Sequence, residues 1–131
     1  MKKKIFIVSL FLLLGCYKET THTVSFLKTQ SKQNNKKQII ILVLSSECIA
    51  CTEKLKELNR QSQHFTKNEF WISTRYRTAL IKKCNSLKIP LEKYHFIEDA
   101  TINNQLNSGI MVEYPSMYKL VKNNLMKINN L

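Results

Sequence analysis

Cys48-Ile49-Ala50-Cys51 is the stretch in which residue type and spacing most directly specify chemistry. Two thiols in a C-x-x-C arrangement can hold a disulfide and pass it on by thiol–disulfide exchange. The pair follows an apolar β-branched run and opens a helical pattern. At a helix start, unpaired N–H groups and the positive dipole end favour an anion. Cys48, in the first turn, is therefore expected to have a lowered pKa and to supply thiolate near neutral pH. Cys51 is one turn on, on the apolar face. It is expected to be more buried and less acidic, suited to resolving a mixed disulfide formed by Cys48. Glu47 opposes this slightly, because an adjacent carboxylate raises a thiol pKa.

Other uses of two thiols fit less well. A zinc site needs about four ligands, and neither a second cysteine pair nor a nearby histidine pair is present. His22, His64 and His95 are scattered and read as surface or packing residues. Haem attachment needs a histidine directly after the second cysteine, where this chain has Thr52. A purely structural disulfide stays open, although closing so short a loop stabilises little. Neither a metal nor a cofactor is expected.

The elements around the pair follow from periodicity. Residues 39–44 are a continuous apolar run, suited to a strand buried on both faces. Ser45 and Ser46 follow as helix N-cap candidates. Cys51, Leu55, Leu58 and Phe65 form the apolar stripe of a first helix, opposite Glu53, Lys54, Lys56, Glu57 and Arg60. A second strand is predicted at 70–72. Leu80, Ile81, Cys84 and Leu87 mark a second helix, ended by Pro90. A third strand is predicted at 94–97 and a short helix at 102–106. Strands at 117–121 and 125–128 flank the hairpin signal Lys122-Asn123-Asn124. Alternation at Val24, Ser25 and Phe26 suggests a short edge strand. Strand–helix–strand alternation implies a parallel sheet with helices on its faces, and the hairpin makes it mixed. The fold class is α/β.

Glu113-Tyr114-Pro115-Ser116-Met117-Tyr118 is the second informative stretch. A proline just before an apolar strand cannot donate to a ladder, so it sits at the strand start. It reads either as a strand-initiating trans proline or as a cis-proline loop.

The N-terminus reads as an address. Lys2, Lys3 and Lys4 precede an apolar run at 5–14, broken only by Ser9, and the sequence continues Leu14-Gly15-Cys16. A basic start, a short apolar core and a small residue describe a secretory signal. Ten helical residues rise about 15 Å, half a bilayer's hydrocarbon thickness, so this is a poor span. The ending resembles a bacterial lipobox, whose cysteine is acylated and becomes the first mature residue. That resemblance implies a signal at 1–15, a lipid anchor on Cys16, a polar tether at 16–37 and a domain at 38–131. The protein would then work outside the cytoplasm, anchored to a bacterial cell membrane, where disulfides persist.

Length and charge agree. The 131 residues allow one domain, and 44% hydrophobic content excludes a wholly disordered chain. The formal charge of +12 invites a nucleic-acid reading. The basic residues are spread over every segment without an aromatic stripe, and three of them lie in the signal. Anionic lipid head groups or acidic partners are the better match.

Taken together, the chain resembles the thioredoxin fold, and particularly the membrane-anchored TlpA/ResA-like thiol-disulfide oxidoreductases, over about residues 38–130. The family's C-x-x-C follows a central strand, as Cys48 and Cys51 follow Leu44. Its inserted helix and strand match 78–87 and 94–99. Its cis-proline before a hairpin strand matches Pro115 and 116–121. The resemblance implies a three-layer α/β/α domain in which Tyr114 and Pro115 face Cys48 and bind the substrate backbone. It also implies a protein substrate, reduction as the direction, and a membrane partner supplying electrons. The chain departs from the family at Ser45, Ser46 and Glu47, where an aromatic residue is usual. The family's C-terminal helix is also missing after the hairpin. The sheet face it covers is expected to be bare, covered by residues 17–37, or covered by another protein.

Three further readings are of single features. Cys84 shares the apolar face of its helix and reads as a buried, inert thiol. Trp71 reads as core. Arg75, Tyr76, Arg77, Lys82 and Lys83 read as a solvated basic face. The function expected is extracytoplasmic thiol–disulfide exchange with protein substrates through Cys48 and Cys51. The alternative is a non-catalytic, partner-binding lipoprotein with a structural disulfide.

Overall fold

β1 (Gln38–Val43) is the strand around which the chain is organised, and all its residues after Gln38 are buried. Its side chains alternate between two cores. Ile40, Leu42 and Leu44 enter one core with Leu55, Leu58, Phe70, Ile72 and Leu80. Ile39, Ile41 and Val43 enter the other with Trp71, Ile97, Ile102 and Leu27. A run apolar at every position is what a strand covered on both faces requires.

The structure is a computed structural model that describes Ser25, Leu27 and residues 37–108 and 113–131. Cys16, the signal segment and most of the tether segment lie outside the described residues. α1 (Ile49–Arg60) and the short α2 (Gln63–Lys67) follow β1. Next come β2 (Asn68–Ser73), α3 (Arg77–Ser86), β3 (His95–Phe96) and α4 (Ala100–Asn107). β4 (Ser116–Val121) and β5 (Asn124–Ile128) close the order. The five strands form one mixed sheet, β3-β2-β1-β4-β5. β1, β2 and β3 run parallel, whereas β4 is antiparallel to β1 and to β5. The α/β architecture agrees with the alternation read from the sequence. Among the described residues, no helix is long and apolar enough to cross a membrane.

The two faces are covered differently. α1 and α3 supply Cys51, Leu55, Leu58, Leu80 and Cys84 to one core. α4 supplies Ile102 and Leu106 to the other. Asp99 starts α4 by accepting from the backbone N–H of Thr101 and of Ile102, at 2.8 and 3.1 Å. Leu27 is fully buried on that same face, packed in the cluster that also takes Tyr118, Leu120 and Leu125 of the hairpin. At this position, a residue expected to be tether is part of the core. The opposite face of the hairpin is more open. Ile40, Lys119, Met126 and Ile128 line a groove of about 410 Å³ there, and Met126 is half exposed.

Several local expectations are corrected. The backbone at Ser25 is helical, so the alternation around it is not a strand at that residue. The stripe from Cys51 to Phe65 is two helices, because the chain turns at Gln61 and Ser62 before α2. Pro90 does not end α3. The Ile89 and Lys88 N–H groups reach back to the carbonyls of Cys84 and Asn85, at 2.8 and 3.1 Å. This is a Schellman closure with Lys88 at φ 57°, where glycine is usual. The helix therefore stops at Ser86, which leaves Leu87 exposed rather than on an apolar face. The third strand is only His95–Phe96, flanked by buried Tyr94 and Ile97. The hairpin turn is the two residues Lys122 and Asn123, and Asn124 pairs with Val121.

Candidate functional site

β1 delivers the cysteine pair to the C-terminal end of the parallel strands. Leu44 N–H still bonds to the Ser73 carbonyl at 3.0 Å, and a turn follows in which Cys48 N–H bonds to the Ser45 carbonyl at 3.3 Å. This turn uses up Ser45 and Ser46, so neither caps the helix. The N-cap is Cys48 itself, with φ −93° and ψ 112°. Its Sγ accepts from the Cys51 backbone N–H at 3.1 Å. The thiol thus takes the role that a serine or aspartate oxygen usually fills, and it satisfies one of the orphan donors of the first turn.

The two thiols sit in different surroundings. Cys48 is partly exposed and packs on the edge of the first core. Ile49, which follows it, is 74% exposed. Cys51 is fully buried, and its Sγ accepts from Ser45 N–H at 3.5 Å. Burial, reinforced by a hydrogen bond to the Cys48 thiol, pushes the Cys51 thiol from an ordinary 9.0 up to about 12. Cys51 is thus buried with its acidity suppressed, as expected of that residue. Both residues are free thiols in the structure. Cys84 is also a free, fully buried thiol, raised by that burial, as expected of an inert core cysteine.

The second stretch arrives at the same end of the sheet. Val43 pairs with Ser116, so Leu44 and Pro115 leave the ladder side by side. The Tyr114–Pro115 peptide is cis. Ser116 hydroxyl donates to the Glu113 carbonyl across this turn. Tyr114 packs against both cores, sharing the first with Cys48.

A polar network unread from the sequence holds Tyr114. Its hydroxyl donates to Asn107 Oδ1 at 3.0 Å. Asn107 Nδ2 donates to Ser73 Oγ at 3.0 Å and to the Asn103 carbonyl at 2.8 Å. Ser73 Oγ in turn donates to Asn103 Oδ1 at 2.8 Å. Ser73 and Asn107 are buried, and burial makes such a network worthwhile only when its members are satisfied. The available signal was the i, i+4 pair Asn103 and Asn107 beside the i, i+4 apolar pair Ile102 and Leu106.

Arg75 also belongs here. Its Nη2 donates to the Asn107 carbonyl at 3.1 Å. A cavity of about 160 Å³ opens between Leu44, Ser45 and Ser46 on one side and Thr74, Arg75 and Tyr76 on the other, reaching Asn107 and Tyr114. Arg77 is engaged elsewhere, 2.9 Å from Glu98 and stacked over Phe96. The stretch read as a uniform solvated face thus divides, with Arg75 turned to the site.

The remaining candidates stand apart. His64 lies in α2, and His95 stacks on Trp71, whose Nε1 donates to Glu69 at 2.8 Å. Trp71 is core, as expected. Among the described residues, no three His, Cys, Asp or Glu side chains gather where they could hold a metal ion. No family model, curated protein or solved structure matches the chain.

Proposed function

We propose that this is a thioredoxin-like thiol–disulfide oxidoreductase of the TlpA/ResA type, acting outside the cytoplasm on protein substrates. The observation that carries the reading is the Cys48–Cys51 pair at the start of α1. One thiol caps the helix and is partly exposed, and the other is buried with its acidity suppressed. The neighbouring Tyr114–Pro115 turn supports it as a surface for the substrate backbone. The Lys2–Lys4 start and Cys16 support the secreted, lipid-anchored location.

The chemistry follows from the asymmetry. Cys48 thiolate attacks one sulfur of a substrate disulfide and forms a mixed disulfide. The substrate's other sulfur leaves as a thiolate and is protonated. Cys51 then loses its proton and attacks Cys48 Sγ. The Cys48–Cys51 disulfide forms, and the substrate departs as a dithiol carrying two electrons from the pair. A membrane partner that reduces Cys48–Cys51 completes the cycle. Run backwards, the same steps donate a disulfide.

The test is reduction of insulin disulfides by the purified chain with a dithiol as electron source. Activity that is lost in Cys48→Ser, with covalent substrate capture in Cys51→Ser, is the expected result. An unmodified chain that reduces no faster than Cys48→Ser overturns the reading. Acylation of the secreted chain that disappears in Cys16→Ser is the corresponding test of the anchor. The half-exposed Met126 groove favours a second reading, a partner-binding module with a structural disulfide. That reading predicts unchanged partner binding in Cys48→Ser.

A further inference from the structure

The 160 Å³ cavity beside the cysteine pair has a lining of unusual composition. Ser45, Ser46, Thr74 and Tyr76 bring hydroxyls, Arg75 brings a guanidinium, and among the described residues no carboxylate lines it. Such a set is rich in groups able to donate, all lining one small volume. The volume is well below the roughly 300–1,000 Å³ of cofactor and drug-sized pockets, and it suits a single side chain. The position is equally specific. Ser45 carbonyl holds the Cys48 N–H, Ser45 N–H reaches Cys51 Sγ, and Tyr114 precedes the cis-proline. The cavity thus shares Ser45 with the turn that carries the cysteine pair.

Arg75 is fixed rather than waving. It is an exposed residue, yet its Nη2 bond to the Asn107 carbonyl ties it to the network of buried Asn107 and Ser73 with half-buried Asn103. A guanidinium has five N–H donors, and this bond occupies only one Nη. Arg75 forms no ion pair with a carboxylate among the described residues, whereas Arg77 does. Glu47 is close in sequence but is exposed and lies outside the lining. A planar cation held by one carbonyl, with no carboxylate partner among the described residues and hydroxyl-bearing residues lining the same cavity, is suited to a carboxylate.

We infer that this cavity is a subsite for an acidic side chain flanking the reacting cysteine of the substrate, with Arg75 as its specificity-determining residue. Its status as a substrate subsite rests on the oxidoreductase reading, but its preference for an anion does not. The exposed Ile49, next to Cys48, and Tyr76, in the cavity lining, add apolar surface at 74% and 69% exposure. Disulfides with Asp or Glu next to the attacked cysteine are the substrates this surface selects.

The test needs only the nucleophilicity of one thiol. In the full chain carrying Cys16→Ser, Cys51→Ser and Cys84→Ala, Cys48 is the remaining cysteine. Its second-order rate is measured with three small disulfides: the dianionic dithiobis(nitrobenzoate), neutral dithiodipyridine and cationic cystamine. In each, Cys48 thiolate forms the mixed disulfide and one half leaves as a thiolate. Arg75→Gln is expected to lower the dianionic-to-neutral rate ratio about tenfold, a charge-assisted contact's worth. Lys82→Gln removes the same charge from an exposed position on α3 and is expected to leave that ratio within about twofold, as a screened surface charge should. Arg75→Lys is expected to keep part of the ratio. The neutral disulfide reports whether each variant is folded with its thiol intact. Equal ratios in Arg75→Gln and Lys82→Gln overturn the subsite. Failure of insulin reduction with the ratio effect intact would remove the activity and leave the anion site standing.

Discussion

The backbone N–H of Cys51 donates to Cys48 Sγ over 3.1 Å, so one thiol of the pair caps the helix that buries the other. Two cysteines of equal covalent chemistry are thereby made unequal. Burial holds the Cys51 thiol up at about 12, so it is scarcely ionised at neutral pH. Iodoacetamide should therefore modify Cys48 first in the native chain carrying Cys16→Ser. Cys51 and Cys84 should react only after unfolding. Peptide mass mapping after brief alkylation checks the order, and labelling of Cys51 as fast as Cys48 would contradict it.

The resolving step should carry its own pH signature. After burial, the next cause holding Cys51 up is its hydrogen bond to the Cys48 thiol, and the Cys48 charge adds to it. Both disappear when Cys48 enters a mixed disulfide, so capture of a substrate itself makes Cys51 more acidic. Burial remains, so Cys51 should still be mostly protonated at neutral pH. Release of a small thiol from a preformed Cys48 mixed disulfide should then accelerate about tenfold per pH unit from neutrality upward. A stopped-flow pH series reads this directly, and a flat profile would show that Cys51 is not the resolving group.

The same burial sets the alkaline limit of the fold. Cys51, Cys84 and Tyr94 all have raised pKa values, with burial the main cause for each. A raised folded-state value means that the unfolded chain gives up its proton first. The stability these groups contribute is complete below about 9 and is lost as pH rises through the folded values. Each ionising group steepens the loss by up to about 1.4 kcal/mol per pH unit. Urea midpoints should fall from about pH 9 upward, and Cys51→Ala should flatten the fall. A fall as steep in Cys51→Ala as in the unaltered chain would assign it to other groups.

The Asn107 side chain makes three hydrogen bonds, one joining α4 to β2, one joining it to the Tyr114 turn and one within α4. Asn107→Ala removes all three and leaves the buried Ser73 hydroxyl with one partner fewer. The expected cost is about 2–4 kcal/mol in urea unfolding, against about 1 kcal/mol for Tyr114→Phe. Because the two share a bond, their double variant should cost less than the sum of the single ones. Strict additivity would mean that the Tyr114–Asn107 bond contributes nothing.

Local signals were legible where they were strong and self-contained. Residues 39–44 announced a doubly covered strand because every position is apolar. The i, i+4 stripe Cys51–Leu55 and the hairpin signal at Lys122 and Asn123 were equally direct. What was hidden depended on long-range geometry. Ser45 and Ser46 have the right side chains to cap a helix, but the turn that Ser45 starts consumes both and passes the task to a thiol. Lys88 in a left-handed conformation is not what sequence suggests for a helix end, so Pro90 drew the boundary too late. The Ser73–Asn103–Asn107 network joins residues some thirty positions apart, and no local pattern encodes that meeting. Arg75 differs from Arg77 only in which neighbour the fold supplies, a carbonyl of α4 or the Glu98 carboxylate.

Leu27 offers the sharpest check on where the folded unit begins. It lies in a polar stretch that reads as a spacer, yet it is fully buried against the face bearing Ile39, Ile41 and Trp71. Burying a leucine removes apolar surface from water, worth about 1.5–3 kcal/mol, and truncating it leaves a cavity besides. Leu27→Ala should therefore destabilise the chain by about 2–5 kcal/mol. An exposed spacer residue would cost less than about 0.5 kcal/mol. Deleting the residues up to 36 should have a similar or larger effect, because Tyr118, Leu120 and Leu125 of the hairpin pack against the same cluster. Equal urea midpoints for Leu27→Ala and the unaltered chain would return this segment to the tether and leave that face of the hairpin uncovered.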